Sequence, residues 1–245
     1  MSIFHKPPST FMYSLNNTIL KTVPSNPYLG ILFSDNLKWR NHISSITKKA
    51  NCTLGFLRRN LRHCPAACRR NAYLALVRPL LEYGAVVWDP YQAQDIDRME
   101  RIQRTAARFI ANDYRSRHPG FVTGLLTRHN LPTLQERRVN LRLTFYYKVV
   151  EGLVPAMPPD KFLTPQRAGR MIRPRRQTAD YVGSNPIDNY IKNNNRCFAV
   201  PRCNTEQYKQ SFFPRSTIEW NHLDNTVVHS ASIEAFKAAL TTSRR

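Results

Sequence analysis

KWRNHISSITKKANCTLGFLRRNLR, residues 38–62, is the most regular stretch of the chain. Its apolar side chains recur at helical spacing on one arc: Ile43, Ile46, Ala50, Leu54, Leu57 and Leu61. Its basic side chains occupy the rest of the circumference: Lys48, Lys49, Arg58, Arg59 and Arg62. The pattern predicts an amphipathic helix with one face in a core and a basic face in solvent, and hence a mainly α fold.

A second helix is predicted from Pro65, a favourable first-turn residue, to about Trp88. Pro79 should kink it, because proline lacks the N–H that an α-helix needs at that position. The expected core face comprises Ala72, Leu76, Leu80 and Tyr83.

A third helix, from about Asp95 to Ala111, carries Arg98, Arg101, Arg104 and Arg108 on its solvent side. Asp97 and Glu100 stand four residues before Arg101 and Arg104, which is the spacing of helical ion pairs. Only about half of these four arginines are therefore free of an ion pair, and their side of the helix is predicted to be either a contact surface or an ordinary solvated face.

Both ends of the chain differ from this helical middle. Short strands are expected at Phe11–Leu15, Ile19–Val23 and Tyr28–Phe33, and a ribbon this small needs a covering layer. Five prolines between residues 155 and 174, among the arginines from Arg167 to Arg176, predict an extended connector. The predicted divisions are a β remnant (1–35), a helical bundle (36–155), a Pro/Arg-rich connector (156–205) and a short C-terminal helical unit (206–245).

The charge of the chain points to a polyanionic partner. Its 245 residues include 37 Lys and Arg against 16 Asp and Glu, for a formal charge of +21, and 27 of the basic residues are arginine. Residues 36–81 hold ten Lys and Arg and no carboxylate, so pairing within the helix cannot neutralise them. Nucleic acid is the predicted partner; a solubilising surface or an acidic membrane patch is the alternative.

Other classes of site have weak support. No signal peptide or membrane span is expected, so a nuclear or cytoplasmic location is predicted. Cys64 and Cys68 with His63 have the spacing of half a zinc site, but Cys197 and Cys203 do not complete it, so no metal is expected. His42 is expected to pack or cap at the start of the first helix, and six aromatics are expected mainly in the core: Tyr73, Tyr83, Trp88, Tyr91, Tyr146 and Tyr147.

Several segments in order resemble the reverse transcriptases of jockey-like, non-long-terminal-repeat retrotransposons, just downstream of the polymerase palm. They are Tyr28-Leu29-Gly30-Ile31, Leu37-Lys38-Trp39 with His42-Ile43, Leu54 to Leu61, Arg78 to Tyr83, Val87 to Tyr91, Ile102-Gln103-Arg104 with Ala106 to Phe109, Leu134 to Arg138, and Ser211 to Arg215 with Trp220-Asn221 and Phe236-Lys237. Each is short, and their order and spacing carry the likeness, which covers roughly residues 11–240.

The resemblance implies a thumb-like helical region that grips a primer–template duplex, either an RNA–DNA hybrid or another duplex. It also implies catalytic carboxylates that this chain lacks, since no adjacent Asp-Asp occurs, and Asp95 and Asp97 are two apart on a helix. The expectation is a truncated reverse transcriptase without polymerase activity, with Mg²⁺ belonging to the missing palm. The alternatives are a protein-interaction module that uses a surface formerly docked on the palm, and a decayed remnant without a role.

The residues expected to contact phosphate are Lys48, Lys49, Arg58, Arg59, Arg62, Arg69 and Arg70, followed by Arg101 and Arg108. Phosphate contacts would position a duplex without reading its bases.

Overall fold

The computed structural model describes residues 13–166 and 194–242 and is mainly helical, with short strands only near its N-terminal side. The fold class predicted from the sequence is thus confirmed. The chain divides into two compact units, Met1–Arg138 (unit one) and Val139–Arg245 (unit two). The finer division into four segments stays a prediction, and the arginines from Arg167 to Arg176 lie outside the described residues.

Unit one begins with two β-hairpins. β1 (Ser14–Leu15) pairs with β2 (Thr18–Ile19) across a turn at Asn16–Asn17, and β3 (Ser25–Tyr28) pairs with β4 (Ile31–Ser34). The prediction of one continuous strand from Tyr28 to Phe33 is wrong, because the chain reverses at Leu29–Gly30. The φ angles of Leu29 and Gly30 are positive, at 47° and 79°. Glycine adopts such angles without steric cost, and they suit a tight hairpin turn.

The helices of unit one follow directly. They are α1 (Arg40–Asn60), α2 (Ala66–Ala72), a π-helical turn (Tyr73–Val77), α3 (Arg78–Glu82), α4 (Ala85–Trp88), α5 (Ala93–Ala111) and α6 (Phe121–Arg128). α7 (Leu134–Val150) contains the boundary between the units. The Thr133 hydroxyl accepts the Glu136 N–H at 3.1 Å, which caps the first turn of α7.

The core face predicted for residues 65–88 is partly wrong. Ala72 and Leu80 pack against the core as predicted, but Leu76 and Tyr83 are 53% and 61% exposed. Tyr73, Val77 and Leu81 are fully buried instead. A π-helical turn lies in this segment: the Arg78 N–H donates to the Tyr73 carbonyl five residues back, and the extra residue rotates the positions that follow. The turn directly precedes Pro79, whose ring would clash with the carbonyl of an ordinary α-turn.

The β3–β4 hairpin packs on the helices of unit one. The Tyr83 hydroxyl donates to the Leu29 carbonyl (3.0 Å), and the Leu32 N–H donates to His42 Nδ1 (3.1 Å). Gly84, at φ 63°, lies so close to Ile31 that an added Cβ would stand 2.7 Å from its Cδ1. The sequence-based expectation that this ribbon needs a cover is therefore met by helical residues.

The core of unit one is built from α1, the 66–88 segment and α5. α1 buries Ile43, Ile46, Ala50, Leu54 and Leu57, as its periodicity predicts. α5 adds Met99, Ile102, Ala106, Phe109 and Ile110. These two faces leave the basic sides of both helices outside the core.

Unit two has an aromatic core. After α7 come α8 (Pro159–Phe162), α9 (Glu206–Lys209), α10 (Phe212–Asn221), α11 (Asn225–Val228) and α12 (Ile233–Thr242). Tyr146, Tyr147, Trp220 and Phe236 are buried together. The described ends of the predicted connector belong to this unit, since Pro165 bridges Phe198 and Asn194 donates to the Trp220 and Leu223 carbonyls.

Candidate nucleic-acid interface

The solvent side of α1 presents a line of small and basic residues. Lys48, Cys52, Gly55 and Arg59 recur at intervals of four, three and four, so they lie along one side of the helix opposite its buried face. Lys48 and Arg59 are thus about 16 Å apart along the axis. A Cβ added to Gly55 would stand 3.7 Å from Arg59 Nη1, an ordinary van der Waals contact, so Arg59 lies back along the helix over Gly55.

Besides Arg58, four of the predicted residues are exposed cations without a carboxylate: Lys48, Lys49, Arg59 and Arg62. None of the four forms an ion pair within residues 13–166 and 194–242. The reason is local, since the nearest acidic residues along the chain are Asp35 and Glu82. These four form the centre of the candidate interface.

Arg58 stands at one edge of this group. Its guanidinium carbon lies 4.5 Å from the centroid of the Tyr114 ring, in the loop after α5. Such a cation–π contact holds the planar group without neutralising its charge. Arg58 therefore stays exposed and charged while its guanidinium is held against the ring.

Arg69 is different, because it is only 7% exposed. Its Nε donates to the Ile110 carbonyl at 3.0 Å and its Nη1 to the Arg62 carbonyl at 3.3 Å. This side chain ties the end of α1 to the end of α5. The structure thus places Arg69 in a supporting position behind the interface, not among the groups that can reach a phosphate.

Arg70 is half-buried and donates through Nε to the His129 carbonyl at 2.8 Å. With Arg128 and His129 it lines a shallow cavity of about 350 Å³ at the start of α2. Burial lowers the pKa of His129, and the neighbouring charges of Arg128, Arg70 and Arg69 lower it further. The positive charge of the candidate interface extends to this cavity, and the sequence pattern did not include Arg128.

The two predicted residues on α5, Arg101 and Arg108, are both held by neighbouring groups. Arg101 and Arg104 both bind Asp97, at 2.7 and 2.6 Å, and their hydrogen bonds lower the pKa of that carboxyl, with the bond from Arg104 as the larger cause. The expected pairing of Arg104 with Glu100 is wrong, because Glu100 instead accepts the Gln135 N–H.

Arg108 donates to the Ser116 carbonyl at 2.9 Å and lies 5.3 Å from the Phe121 ring centroid. Its guanidinium is therefore used to hold the loop between α5 and α6. Neither Arg101 nor Arg108 has the freedom of the α1 cations.

Most of the aromatic residues pack inside, as expected. Tyr73 and Trp88 are fully buried in unit one, and Tyr146 and Tyr147 are buried in unit two. Burial raises the pKa of Tyr73, whose hydroxyl donates to Gln103 Oε1 at 2.9 Å. Tyr83 is exposed and Tyr91 is half-buried. His42 packs as predicted, with its ring 5.0 Å from that of Trp88.

No metal centre emerges from the described parts of the chain, where no three His, Cys, Asp or Glu side chains converge. Asp97 is bound by two arginines, whereas Asp95 is 4% exposed and lines a cavity with Lys38, Arg40 and Trp39. Sequence reasoning examined Asp95 only as a metal ligand and so missed this cavity. The signal in the sequence was a carboxylate in the first turn of a helix. The basic and aromatic residues around it come from other segments of the chain.

Among the residues that the structure describes, no helix is long and apolar enough to cross a membrane. No protein-family model, curated protein or solved structure matches the chain.

Proposed function

We propose that unit one binds duplex nucleic acid by its phosphate backbone, as the thumb-like part of a truncated non-long-terminal-repeat reverse transcriptase. The observation that carries the proposal is the set of exposed, carboxylate-free cations on α1 and just after its end, Lys48, Lys49, Arg59 and Arg62. Ordinary solvated faces mix positive and negative charge, whereas this face carries one sign over about 16 Å. A partner with regularly spaced negative charges complements it.

Phosphate is the group that this face suits. Lysine offers a compact charge and arginine a planar fork of donors, and both bind phosphate oxygens. Contacts to phosphate position a duplex without reading its bases. Binding is accordingly independent of sequence, and an RNA–DNA hybrid and a DNA duplex are both ligands.

The reverse-transcriptase part of the proposal is supported by the ordered sequence segments. The carboxylates that would hold two Mg²⁺ ions are not among its residues, because no two aspartates are adjacent and Asp97 is bound by Arg101 and Arg104. We therefore propose that the chain binds a primer–template duplex without extending it. A nuclear or cytoplasmic location belongs to the same proposal.

Salt dependence of binding tests the proposal. For about five phosphate contacts, the logarithm of the binding constant for a hybrid duplex should fall against log salt with a slope of about −4.5. The variant K48Q/K49Q/R59Q/R62Q should reduce the slope to about −1. A matched control, K161Q/R202Q/K209Q/K237Q, removes four exposed cations of unit two and should leave the slope unchanged.

Two results would contradict the proposal. One is a wild-type affinity that is absent at low salt or independent of salt. The other is an equal loss of slope in both quadruple variants, because it would show that only net charge matters.

A second candidate, a protein-interaction module, is favoured by the exposed apolar residues around β1 and β2. Tyr13, Leu15, Ile19, Leu20 and Val23 are each more than half exposed. Edge strands with apolar side chains are prone to pair with another chain. The salt titration separates the candidates, and Ile19→Glu should lower any self-association measured by sedimentation without changing duplex affinity.

A further inference from the structure

A cavity of about 210 Å³ opens in unit one between β4, the start of α1 and the segment that leads into α5. Ser34, Trp39, Tyr91 and Asp95 line it, and Lys38 and Arg40 stand at the same cavity. It lies apart from the cavity of Arg70 and Arg128, and none of the α1 cations of the candidate interface lines it.

Asp95 is the feature of this cavity that requires an explanation. Its side chain is 4% exposed, and no hydrogen bond or ion pair to it exists in the described parts of the chain; its Oδ1 is fully buried without a partner. Ser34 is 3% exposed, and its hydroxyl likewise has no partner there. A buried carboxylate without a donor is costly, so these two groups mark the place of a ligand that donates hydrogen bonds.

The other lining residues restrict what that ligand can be. Trp39 and Tyr91 are half-buried and offer aromatic surface to a planar group. Lys38 and Arg40 are exposed cations; Arg40 gives one N–H to Gln94 Oε1 and keeps its other donors. Lys38 and Arg40 would repel a lone cation, and Asp95 would repel a lone phosphate. A nucleotide has donors, a flat ring and a phosphate in one molecule.

We propose that this cavity binds one unpaired nucleotide, with its base against Trp39 and Tyr91, an exocyclic amino group on Asp95 and its phosphate at Lys38 or Arg40. The base must be unpaired, because pairing and stacking in a duplex engage the same amino group and ring faces. This proposal is independent of the phosphate contacts along α1.

The carboxylate makes the site selective among bases. Cytosine, adenine and guanine each carry an amino group that a carboxylate accepts. Uracil has no amino group, and its ring N–H lies between two carbonyl oxygens that a carboxylate repels. CMP, AMP and GMP should therefore bind more tightly than UMP, by about tenfold, as expected for one hydrogen bond to a charged group.

The test is titration calorimetry of the full chain with the four nucleoside monophosphates. Asp95→Asn should weaken CMP binding about tenfold and remove the discrimination against UMP, because the amide can donate to carbonyl oxygens. Trp39→Leu should weaken all four. Asp97→Asn, on the same helix but outside the cavity, is the control and should change none of them.

Thermal unfolding shows whether the Asp95→Asn chain is folded, and it should be at least as stable as the wild type, since a buried unpaired charge is removed. The K48Q/K49Q/R59Q/R62Q variant should keep CMP binding and lose duplex binding, and Asp95→Asn should do the reverse. Failure of all four nucleotides to saturate, equal binding of UMP and CMP, or binding of arginine amide in their place would overturn the proposal.

Discussion

The two units use basic residues in different ways. Residues 13–138 of unit one contain twenty Lys and Arg against eight Asp and Glu, whereas the described residues of unit two contain eight against six. In unit two, Arg142 binds Glu219 at 2.5 Å and Arg196 binds Glu151 at 2.7 Å. The excess charge of the described chain is thus concentrated in unit one, where carboxylates are too few to pair with it.

The comparison indicates that the number of carboxylates in a unit, more than its number of arginines, decides how much of its positive charge stays unpaired. Unit one also has buried arginine, since Arg138 binds Asp89 at 2.9 Å with both side chains almost fully buried. Arg69 and Arg108 satisfy backbone carbonyls. Lys48, Lys49, Arg59 and Arg62 are among the cations of unit one that stay in solvent without a carboxylate in the described residues.

The largest expected effect lies in the core of unit two. Trp220 is fully buried with its ring centroid 5.4 Å from that of Tyr146, and Trp220→Ala should lower the free energy of unfolding by about 3–5 kcal/mol. Tyr208→Ala, at a residue 46% exposed, should change it by less than about 0.5 kcal/mol. Urea unfolding measures both. If the two units have separate roles, the folded Trp220→Ala chain should bind a hybrid duplex with the wild-type salt slope. Loss of that slope would contradict separate roles for the units.

The second effect compares an ion pair in each unit. Glu219→Gln leaves the Arg142 guanidinium, 2% exposed, without its carboxylate, and should lower the free energy of unfolding by about 2 kcal/mol. Asp97→Asn breaks the solvent-exposed pairs with Arg101 and Arg104 and should have a much smaller effect. Equal losses in urea unfolding would show that burial does not separate the two kinds of pair.

The third effect is a pH dependence located in unit one. Burial, and then the charge of Lys49, lowers the pKa of His42 below its ordinary value of 6.5, so the unfolded chain binds the proton first. Stability should therefore fall as the pH is lowered through 6.5 and level off only below the folded pKa. His42→Asn keeps an acceptor for the Leu32 N–H and should flatten the curve, whereas His63→Asn, at an exposed residue, should not. His129, whose pKa is also lowered, accounts for the dependence that remains.

The smallest effect separates a free arginine from a held one. Arg59→Gln removes one phosphate contact and should reduce the salt slope by about 0.9. Arg101→Gln should change it less, because Arg101 is bound to Asp97 in the free protein. Fluorescence anisotropy with a labelled hybrid duplex at several salt concentrations measures both slopes, and an equal change would place α5 in the interface beside α1.

Local patterns predicted much of the fold. The periodicity of residues 43–57 predicted the buried face of α1. The exposure of Tyr83 was missed, because a π-helical turn before it changes the angle per residue without altering the composition. The Leu29–Gly30 reversal was missed because an apolar run surrounds its glycine.

The sequence likewise predicted part of the candidate interface but not all of it. Its exposed cations follow from the period of α1 and the absence of carboxylates between residues 36 and 81. The burial of Arg69 was not predictable, because its acceptor at Ile110 lies on another helix. The cavity at Asp95 also joins side chains from three separate segments, which no spacing in one sequence reveals.

The sequence by itself determined that the chain is mainly helical and that α1 carries uncompensated positive charge, because helix formation and ion pairing at four-residue spacing depend on near neighbours. Only the tertiary structure decided which basic groups remain in solvent. Hydrogen bonds such as that from Arg70 to the His129 carbonyl, and ion pairs such as Arg138 with Asp89, join residues about fifty positions apart. Whether a guanidinium is held inside or left for a ligand depends on those distant partners.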